Sequence, residues 1–328
     1  MEYRRLGKSG VQVSALSLGS WLTFGKQISD DMAERLMAIA YERGVNFFDN
    51  AEGYAAGKSE IVMGNILKKM NWDRTSYLVS SKVFFGAGGN KPNQTGLSRK
   101  HLMEACHAAL KRLQVDYLDF YYCHRPDPHV PIDEIVWAMN HLIQQGKVLY
   151  WGVSEWPAKS IEEAHLVAQK CNLIGPTMEQ PQYNLFVRER VELEYAPLYK
   201  RFGLGTTIWS PLASGVLTNK YIDASPEDTR LGIKGMEWLR DSSLTPERLE
   251  KVRQLHALAG EIGTSLPCLA IAWCLKNPNI STVILGASKE YQLEETLGAI
   301  ETLSLLTDPV MERIEAIVDN KPEETGEA

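Results

Sequence analysis

Short apolar runs rich in β-strand formers recur along the chain, and most are followed by a segment with helical periodicity. In residues 30–43 and 98–113, apolar side chains return every three or four positions, as on the buried face of a helix. Runs that are apolar on both faces are typical of parallel strands covered on both sides. Successive runs begin roughly thirty residues apart until the last, which fits one strand plus one helix. The eight runs are residues 15–18, 46–48, 77–80, 117–122, 148–152, 177–179, 205–208 and 282–285.

Eight strand–helix units predict an α/β fold, the (β/α)8 TIM barrel. A doubly wound open sheet shows the same alternation and stays an alternative. Two extended segments, 3–6 and 11–13, flank Gly10 and predict a β-hairpin before the first barrel strand. Such a hairpin would plug the bottom of the barrel, away from the chemistry.

The interval between the seventh and eighth strands is much longer than the others. It holds a polar stretch, 214–243, and two predicted helices, 245–262 and 266–276. A long excursion on the active side of a barrel is typical of a lid or a ligand clamp. With a further helix near the C-terminus, residues 1–319 are expected to form a single domain, and the polar, acidic residues 320–328 a disordered tail.

Polar residues end three of the predicted strands, where active-site residues of a parallel barrel lie. Asp49, Lys82 and His124 each follow an apolar run directly, and Tyr54 comes five residues after Asp49, enough for a tight turn over the barrel mouth. Each residue alone has an ordinary explanation: a capping aspartate, a solvated lysine, a structural histidine, or a tyrosine that covers the rim.

Together the four residues form a coherent device for protonating an oxygen. A phenol is a poor acid near pH 7, and a buried ammonium beside it is expected to lower its pKa. The ammonium itself needs a carboxylate partner in a dry site, and an imidazole can orient a carbonyl oxygen. The reductant would be a nicotinamide. The turn after the first strand, Gly19-Ser20-Trp21, is not the Rossmann GxGxxG motif, so a dinucleotide would bind by another design.

Composition narrows the class of protein. The net charge of −6 gives no basis for binding nucleic acid, which requires a basic face. No window approaches eighteen apolar residues, and the first ten residues lack an apolar run, so we expect neither membrane insertion nor a secretory signal. The five cysteines show no zinc or redox spacing, which predicts free thiols in a reducing cytoplasm and no metal site.

The segment FFDNAEGYAAGKSEIVMG resembles the signature of the aldo-keto reductase superfamily. The strand-end segments SK, YCHRPD, GVS, EQPQYN, WSPL and ILGAS follow in the family's order. GSWLTFGKQISDDMAERLMAIAY, LSRKHL and LAIAWCLKNPN are most similar to the branch of voltage-gated potassium channel β subunits and their bacterial relatives. The resemblance implies an NADP(H)-dependent carbonyl reductase, with Tyr54 as general acid and Asp49, Lys82 and His124 completing the catalytic set.

The resemblance also implies a set of cofactor contacts. Ser154 and Gln180 can bond a nicotinamide carboxamide, and the first amides of a helix over 289–299 suit a phosphate. Lys220 and Arg230 would grip the pyrophosphate; without the resemblance they would be two solvated charges. The implied cofactor-binding residues are Ser20, Trp21, Gln27, Asp49, Ser154, Gln180, Trp209, Ser210, Pro211, Leu212, Ser214, Lys220, Arg230, Gly286, Ser288, Gln292 and Glu295.

Several positions depart from the family pattern. His124 stands where the channel subunits have asparagine, which favours turnover, and Glu155 stands where they carry arginine. Gln292 replaces an arginine that many members use for the 2′-phosphate, and Thr296 replaces a common asparagine. NADP(H) is expected over NAD(H), but these replacements predict weaker binding of NADP(H) than in the family pattern.

Aromatic side chains are expected to line the substrate pocket, namely Trp21, Tyr54, Phe84 and Phe85. Such walls suit small to medium aldehydes and ketones. Two alternatives remain: a nicotinamide-binding, redox-sensing regulatory subunit with little turnover, and alcohol oxidation by the same site in reverse. The branch also implies a homo-oligomer, a tetramer or larger.

Overall fold

Eight parallel strands close into a barrel in the structure, a computed structural model that describes residues 1–221 and 244–323. The last strand pairs with the first at Val283 and Leu16, which excludes the open-sheet alternative and confirms the TIM barrel. The strands are β1 (Tyr3–Arg5), β2 (Gln12–Ser14), β3 (Leu16–Gly19), β4 (Phe47–Asp49), β5 (Leu78–Val83), β6 (Leu118–Cys123), β7 (Val148–Val153), β8 (Met178–Glu179), β9 (Gly205–Ile208) and β10 (Thr282–Leu285).

The helices surround the barrel, and several begin where the sequence supplies an N-cap. The side chains of Ser29, Ser98, Thr245 and Ser265 each accept a hydrogen bond from a backbone N–H of the first turn. The helices are α1 (Asp30–Glu42), α2 (Lys58–Met70), α3 (Arg99–Leu113), α4 (Ile132–Gln144), α5 (Ala158–Lys170), α6 (Ala196–Phe202), α7 (Pro246–Glu261), α8 (Leu266–Lys276), α9 (Glu290–Leu297), α10 (Ala299–Thr302) and α11 (Asp308–Val318).

The antiparallel hairpin β1–β2 closes the bottom of the barrel. Leu6 and Val13 are fully buried and pack against the inward-facing side chains of the barrel strands. Among these, Phe47 and Phe120 meet edge to face with 5.0 Å between ring centroids. Because these side chains fill the interior, the barrel is a solid core whose functional end is the opposite one.

One helix in the C-terminal part differs from the sequence-based picture. The helix predicted over 289–299 ends at Leu297, and a separate short helix, α10, begins after Gly298. Asn320, predicted to start a disordered tail, accepts a hydrogen bond from Arg188 and donates one to the Leu185 carbonyl. Residues 222–243 of the long excursion and 324–328 of the tail lie outside the described residues.

No single helix in the described parts of the chain is both long and apolar enough to cross a membrane. The helices α7 and α8 would meet that requirement only as a pair, and they are bent by 91° relative to one another.

Candidate active site

Three neighbouring strands bring the predicted catalytic residues together. Asp49 is the last residue of β4, Lys82 is the second-last residue of β5, and His124 directly follows β6. The three strands are parallel and adjacent, so their carboxyl ends meet at one rim of the barrel.

Lys82 is the centre of a buried hydrogen-bond cluster. Its side chain is fully buried, and Nζ lies 2.5 Å from Asp49 Oδ2 and 3.2 Å from the Tyr54 hydroxyl. Asp49 Oδ1 accepts two further hydrogen bonds, from Ser80 Oγ at 2.8 Å and Gln180 Nε2 at 3.1 Å. The carboxylate therefore neutralises the ammonium, and the ammonium in turn contacts the phenol.

A tight turn returns Tyr54 over the barrel mouth, as predicted. The Tyr54 N–H donates to the Ala51 carbonyl at 3.1 Å, and the next two residues, Ala55 and Ala56, have φ of 49° and 54°. Left-handed backbone is unfavourable for alanine, so packing must hold this turn in place. Strain of this kind is common where a functional side chain is positioned.

The acidity of the site differs from the expectation in one respect. Lys82 was the expected cause of a lowered Tyr54 pKa, but burial raises the pKa of Tyr54 well above its usual value, and the charge of Asp49 adds to this. Burial also lowers the pKa of Lys82, against the opposing pull of Asp49. The physical reason is that the ammonium's charge is matched by Asp49, so little is left to favour a phenolate. Tyr54 therefore keeps its proton and is available as a donor.

His124 is neutral in this environment. Burial lowers its pKa well below the usual value, and the charges of Lys82 and Arg125 act in the same direction. The imidazole lies edge-on to Tyr54 and to Phe85, with ring centroids 5.7 and 5.1 Å away. A neutral imidazole beside the phenol can orient a carbonyl oxygen without competing as an acid.

The predicted substrate pocket has aromatic walls at the rim. Trp21 and Trp209 meet edge to face at 6.2 Å, and Phe84 and Phe85 do so at 5.0 Å. Half of the Phe85 side chain is exposed, as is over a third of Trp21. These residues thus stand at the mouth rather than in the core.

Glu52 holds the phenylalanine wall in place, a role that the sequence pattern does not reveal. Its buried Oε1 accepts hydrogen bonds from the Phe84 and Gly86 N–H groups at 2.8 and 2.9 Å and lies 3.1 Å from His101 Nε2. The carboxylate therefore ties the turn that carries Tyr54 to the loop after β5.

The proposed nicotinamide contacts lie beside Asp49. Ser154 Oγ donates to the Gln180 carbonyl at 2.8 Å, and Ser20 Oγ donates to the Asp49 carbonyl at 3.0 Å. With Gln180 Nε2 bonded to Asp49, its Oε1 has no donor within the described residues and can accept one from a carboxamide.

Glu155 organises the neighbouring wall. Its Oε1 accepts from Gln182 N–H at 2.6 Å and Trp209 Nε1 at 2.9 Å, while Arg190 donates to Oε2 at 2.6 Å. Buried Glu179 lies alongside, and burial together with the charge of Glu155 raises its pKa well above the usual value. Glu155 therefore supports Trp209 through the hydrogen bond from its indole N–H.

The segment after β9 turns sharply and bonds the N–H groups of residues 213–217 within itself. Ser210, Ala213 and Ser214 all have φ between 47° and 59°, and the N–H groups of Ala213 and Ser214 donate to the carbonyl and the Oγ of Ser210 at 3.0 and 3.1 Å. Pro211 and Leu212 complete this segment, and Lys220 lies exposed beyond it.

The loop after β10 holds the other predicted phosphate contacts. Gln292 Oε1 accepts from both the N–H and the Oγ of Ser288, at 3.0 and 3.1 Å. Space beside Gly286 is open, and Glu295 is exposed on α9. Gln27 is exposed in the turn after β3, and Arg230 lies outside the described residues.

The comparisons with known proteins cover almost the whole chain. A family profile described as "Aldo/keto reductase family" matches residues 15–319. A rice protein (Oryza sativa subsp. japonica) named "Probable voltage-gated potassium channel subunit beta" is 49% identical over 326 residues, 99% of each chain. An Arabidopsis thaliana protein of the same name is 48% identical over 323 residues, 98% of each chain.

Proposed function

This chain belongs to the aldo/keto reductase family, and from that premise we propose that it reduces aldehydes and ketones to alcohols with NADP(H), using Tyr54 as the general acid. The observation that carries the proposal is the buried contact of Lys82 with Asp49 on one side and the Tyr54 hydroxyl on the other. A buried ion pair joined to a phenol serves little structural purpose at a barrel rim, but it suits proton transfer to an oxygen.

The residues act on the carbonyl oxygen. Ser154 and Gln180 would hold the nicotinamide of a bound cofactor, which would supply the hydride for the carbonyl carbon. Tyr54 donates its proton to the oxygen as negative charge develops there, and Lys82 Nζ, 3.2 Å away, donates a hydrogen bond to the Tyr54 oxygen. Asp49 keeps Lys82 charged, and neutral His124 orients the carbonyl.

The rim residues fit a nicotinamide dinucleotide. Gln180 Oε1 offers an acceptor for the nicotinamide carboxamide beside the catalytic residues. The N-terminus of α9, with Ser288 just before it, lies on the loop after β10 and suits a phosphate.

The test replaces Tyr54 by phenylalanine. We expect kcat for 4-nitrobenzaldehyde to fall by roughly 10²–10⁴-fold, with NADPH binding, followed by tryptophan fluorescence, retained. Tyr3→Phe, at the exposed hairpin on the other end of the barrel, is the matched control. Near wild-type reduction by Tyr54→Phe would refute the proposal.

The names of the relatives favour one second candidate, a nicotinamide-binding, redox-sensing regulatory subunit with little turnover. The two candidates differ in turnover, because the regulatory role needs cofactor binding but no fast chemistry. Pull-down of a channel from native membranes together with negligible reduction of any aldehyde would favour it.

A further inference from the structure

Arg125 stands directly after His124, at the rim end of β6, and faces the same wall as Phe85. Its Nη1 donates to the His124 carbonyl and, at 3.3 Å, to Ser154 Oγ. Its guanidinium carbon lies 5.9 Å from the centre of the Phe85 ring. The guanidinium thus lies between the proposed nicotinamide contact and the proposed substrate wall.

One edge of this guanidinium is open. The two Nη1 hydrogens are used, whereas Nε and Nη2 have no acceptor among residues 1–221 and 244–323. Within the same ranges, no carboxylate forms an ion pair with Arg125. The open edge presents parallel N–H groups in the fork that matches the two oxygens of a carboxylate.

The charge of Arg125 is felt at the reacting groups. It contributes to lowering the pKa of His124 and of Lys82, and it opposes the raised pKa of Tyr54. The other charges nearby are matched, since Asp49 pairs with Lys82 and Glu155 with Arg190. The pocket therefore holds a cation that these described contacts do not neutralise.

We propose that Arg125 binds the carboxylate of the substrate, so that the preferred substrates are aldehydes or ketones that carry a carboxylate. The inference rests on the proposed carbonyl reduction and names the substrate class of that site. A neutral aromatic pocket would reject a carboxylate, because burying an unpaired charge is costly. An arginine with an open fork reverses that preference.

The experiment compares 4-carboxybenzaldehyde with its uncharged methyl ester in wild type, Arg125→Gln and Arg125→Lys. The ratio of kcat/KM for acid over ester should fall about 10- to 100-fold in Arg125→Gln, the range of one charge-assisted bidentate contact. Arg125→Lys keeps the charge but loses the forked geometry, so its ratio should lie between those of wild type and Arg125→Gln. Arg253→Gln, an exposed arginine on α7, is the matched control with an unchanged ratio.

Binding of the alcohol products tests the anion site at Arg125 separately from the proposed carbonyl reduction. Calorimetry with NADP⁺ present compares 4-carboxybenzyl alcohol with its methyl ester, and only the acid should lose affinity in Arg125→Gln. If the ester is reduced but the ratio does not change in Arg125→Gln, the inference is wrong and the reductase stands. If nothing is reduced yet acid binding depends on Arg125, the proposed function is wrong and the anion site stands. If 4-carboxybenzyl alcohol binds wild type and Arg125→Gln equally well, the anion site is refuted.

Discussion

The ion pair between Asp49 and Lys82 can be tested by a double-mutant cycle. The two groups are 2.5 Å apart and almost fully buried, so at an effective dielectric of ~20 their attraction is roughly 7 kcal/mol, offset by desolvation. Lys82→Met leaves a buried carboxylate held only by Ser80 and Gln180, which should cost about 3–5 kcal/mol of unfolding free energy. Asp49→Asn/Lys82→Met should restore part of this loss, with a coupling energy of about 1–3 kcal/mol.

The assay is urea unfolding at pH 7, followed by tryptophan fluorescence without cofactor. Glu34 and exposed Lys69, whose Nζ is 2.8 Å from the carboxylate, form the control pair, for which we expect almost no coupling. Asp49→Asn alone adds a pH check. Without the carboxylate the Lys82 pKa falls further below its unfolded value, so this variant should gain stability relative to wild type as pH rises from 7 to 10. If the double variant loses the sum of the unfolding free energies lost by Asp49→Asn and Lys82→Met, the two residues are not coupled and the reasoning is refuted.

Three further predictions concern other parts of the molecule. Burial lowers the pKa of His165 from 6.5 to about 4. The free energy of unfolding should therefore fall by about 2–3 kcal/mol as the pH falls from 6.5 to 4. In urea unfolding, the His165→Phe variant should lose less unfolding free energy than wild type over this pH range. Equal losses in the two proteins would contradict the prediction. Gln292→Arg should tighten NADPH about tenfold relative to NADH in fluorescence titration, because arginine pairs with a 2′-phosphate; a parallel shift of both would count against the predicted role. Glu155→Gln weakens the contacts to Arg190 and Trp209, so kcat/KM for 4-nitrobenzaldehyde should fall about tenfold. Unchanged kinetics would show that this support is dispensable.

The barrel was predictable because its strands are short apolar runs bounded by polar residues. The strands β9 and β10 have the predicted bounds, and β5 continues past its predicted end because Ser81, Lys82 and Val83 still pair with β6. Polarity alone ended the predicted strand early. A residue such as Lys82 can complete a strand and serve the site at once.

The parts that sequence missed depend on distances between separate elements. Arg125 stands in a motif, but only the folded rim shows that one edge of its guanidinium has no acceptor among the described residues. The raised Tyr54 pKa likewise depends on how closely Asp49 matches Lys82. The helix break at Gly298 had a visible signal, a glycine within an otherwise helical pattern. The cofactor roles, the cytoplasmic location and the homo-oligomer stay predictions.

The hairpin at the bottom of the barrel has a practical consequence for handling the protein. Met1 packs against Gly44, in the loop that leads into β4, and the Ala15 N–H donates to the Glu2 carbonyl. The amino terminus is thus anchored on the face opposite the rim that carries Tyr54. An immobilisation linker attached at Met1 would orient every molecule on a sensor surface with the rim that carries Tyr54 toward the solution.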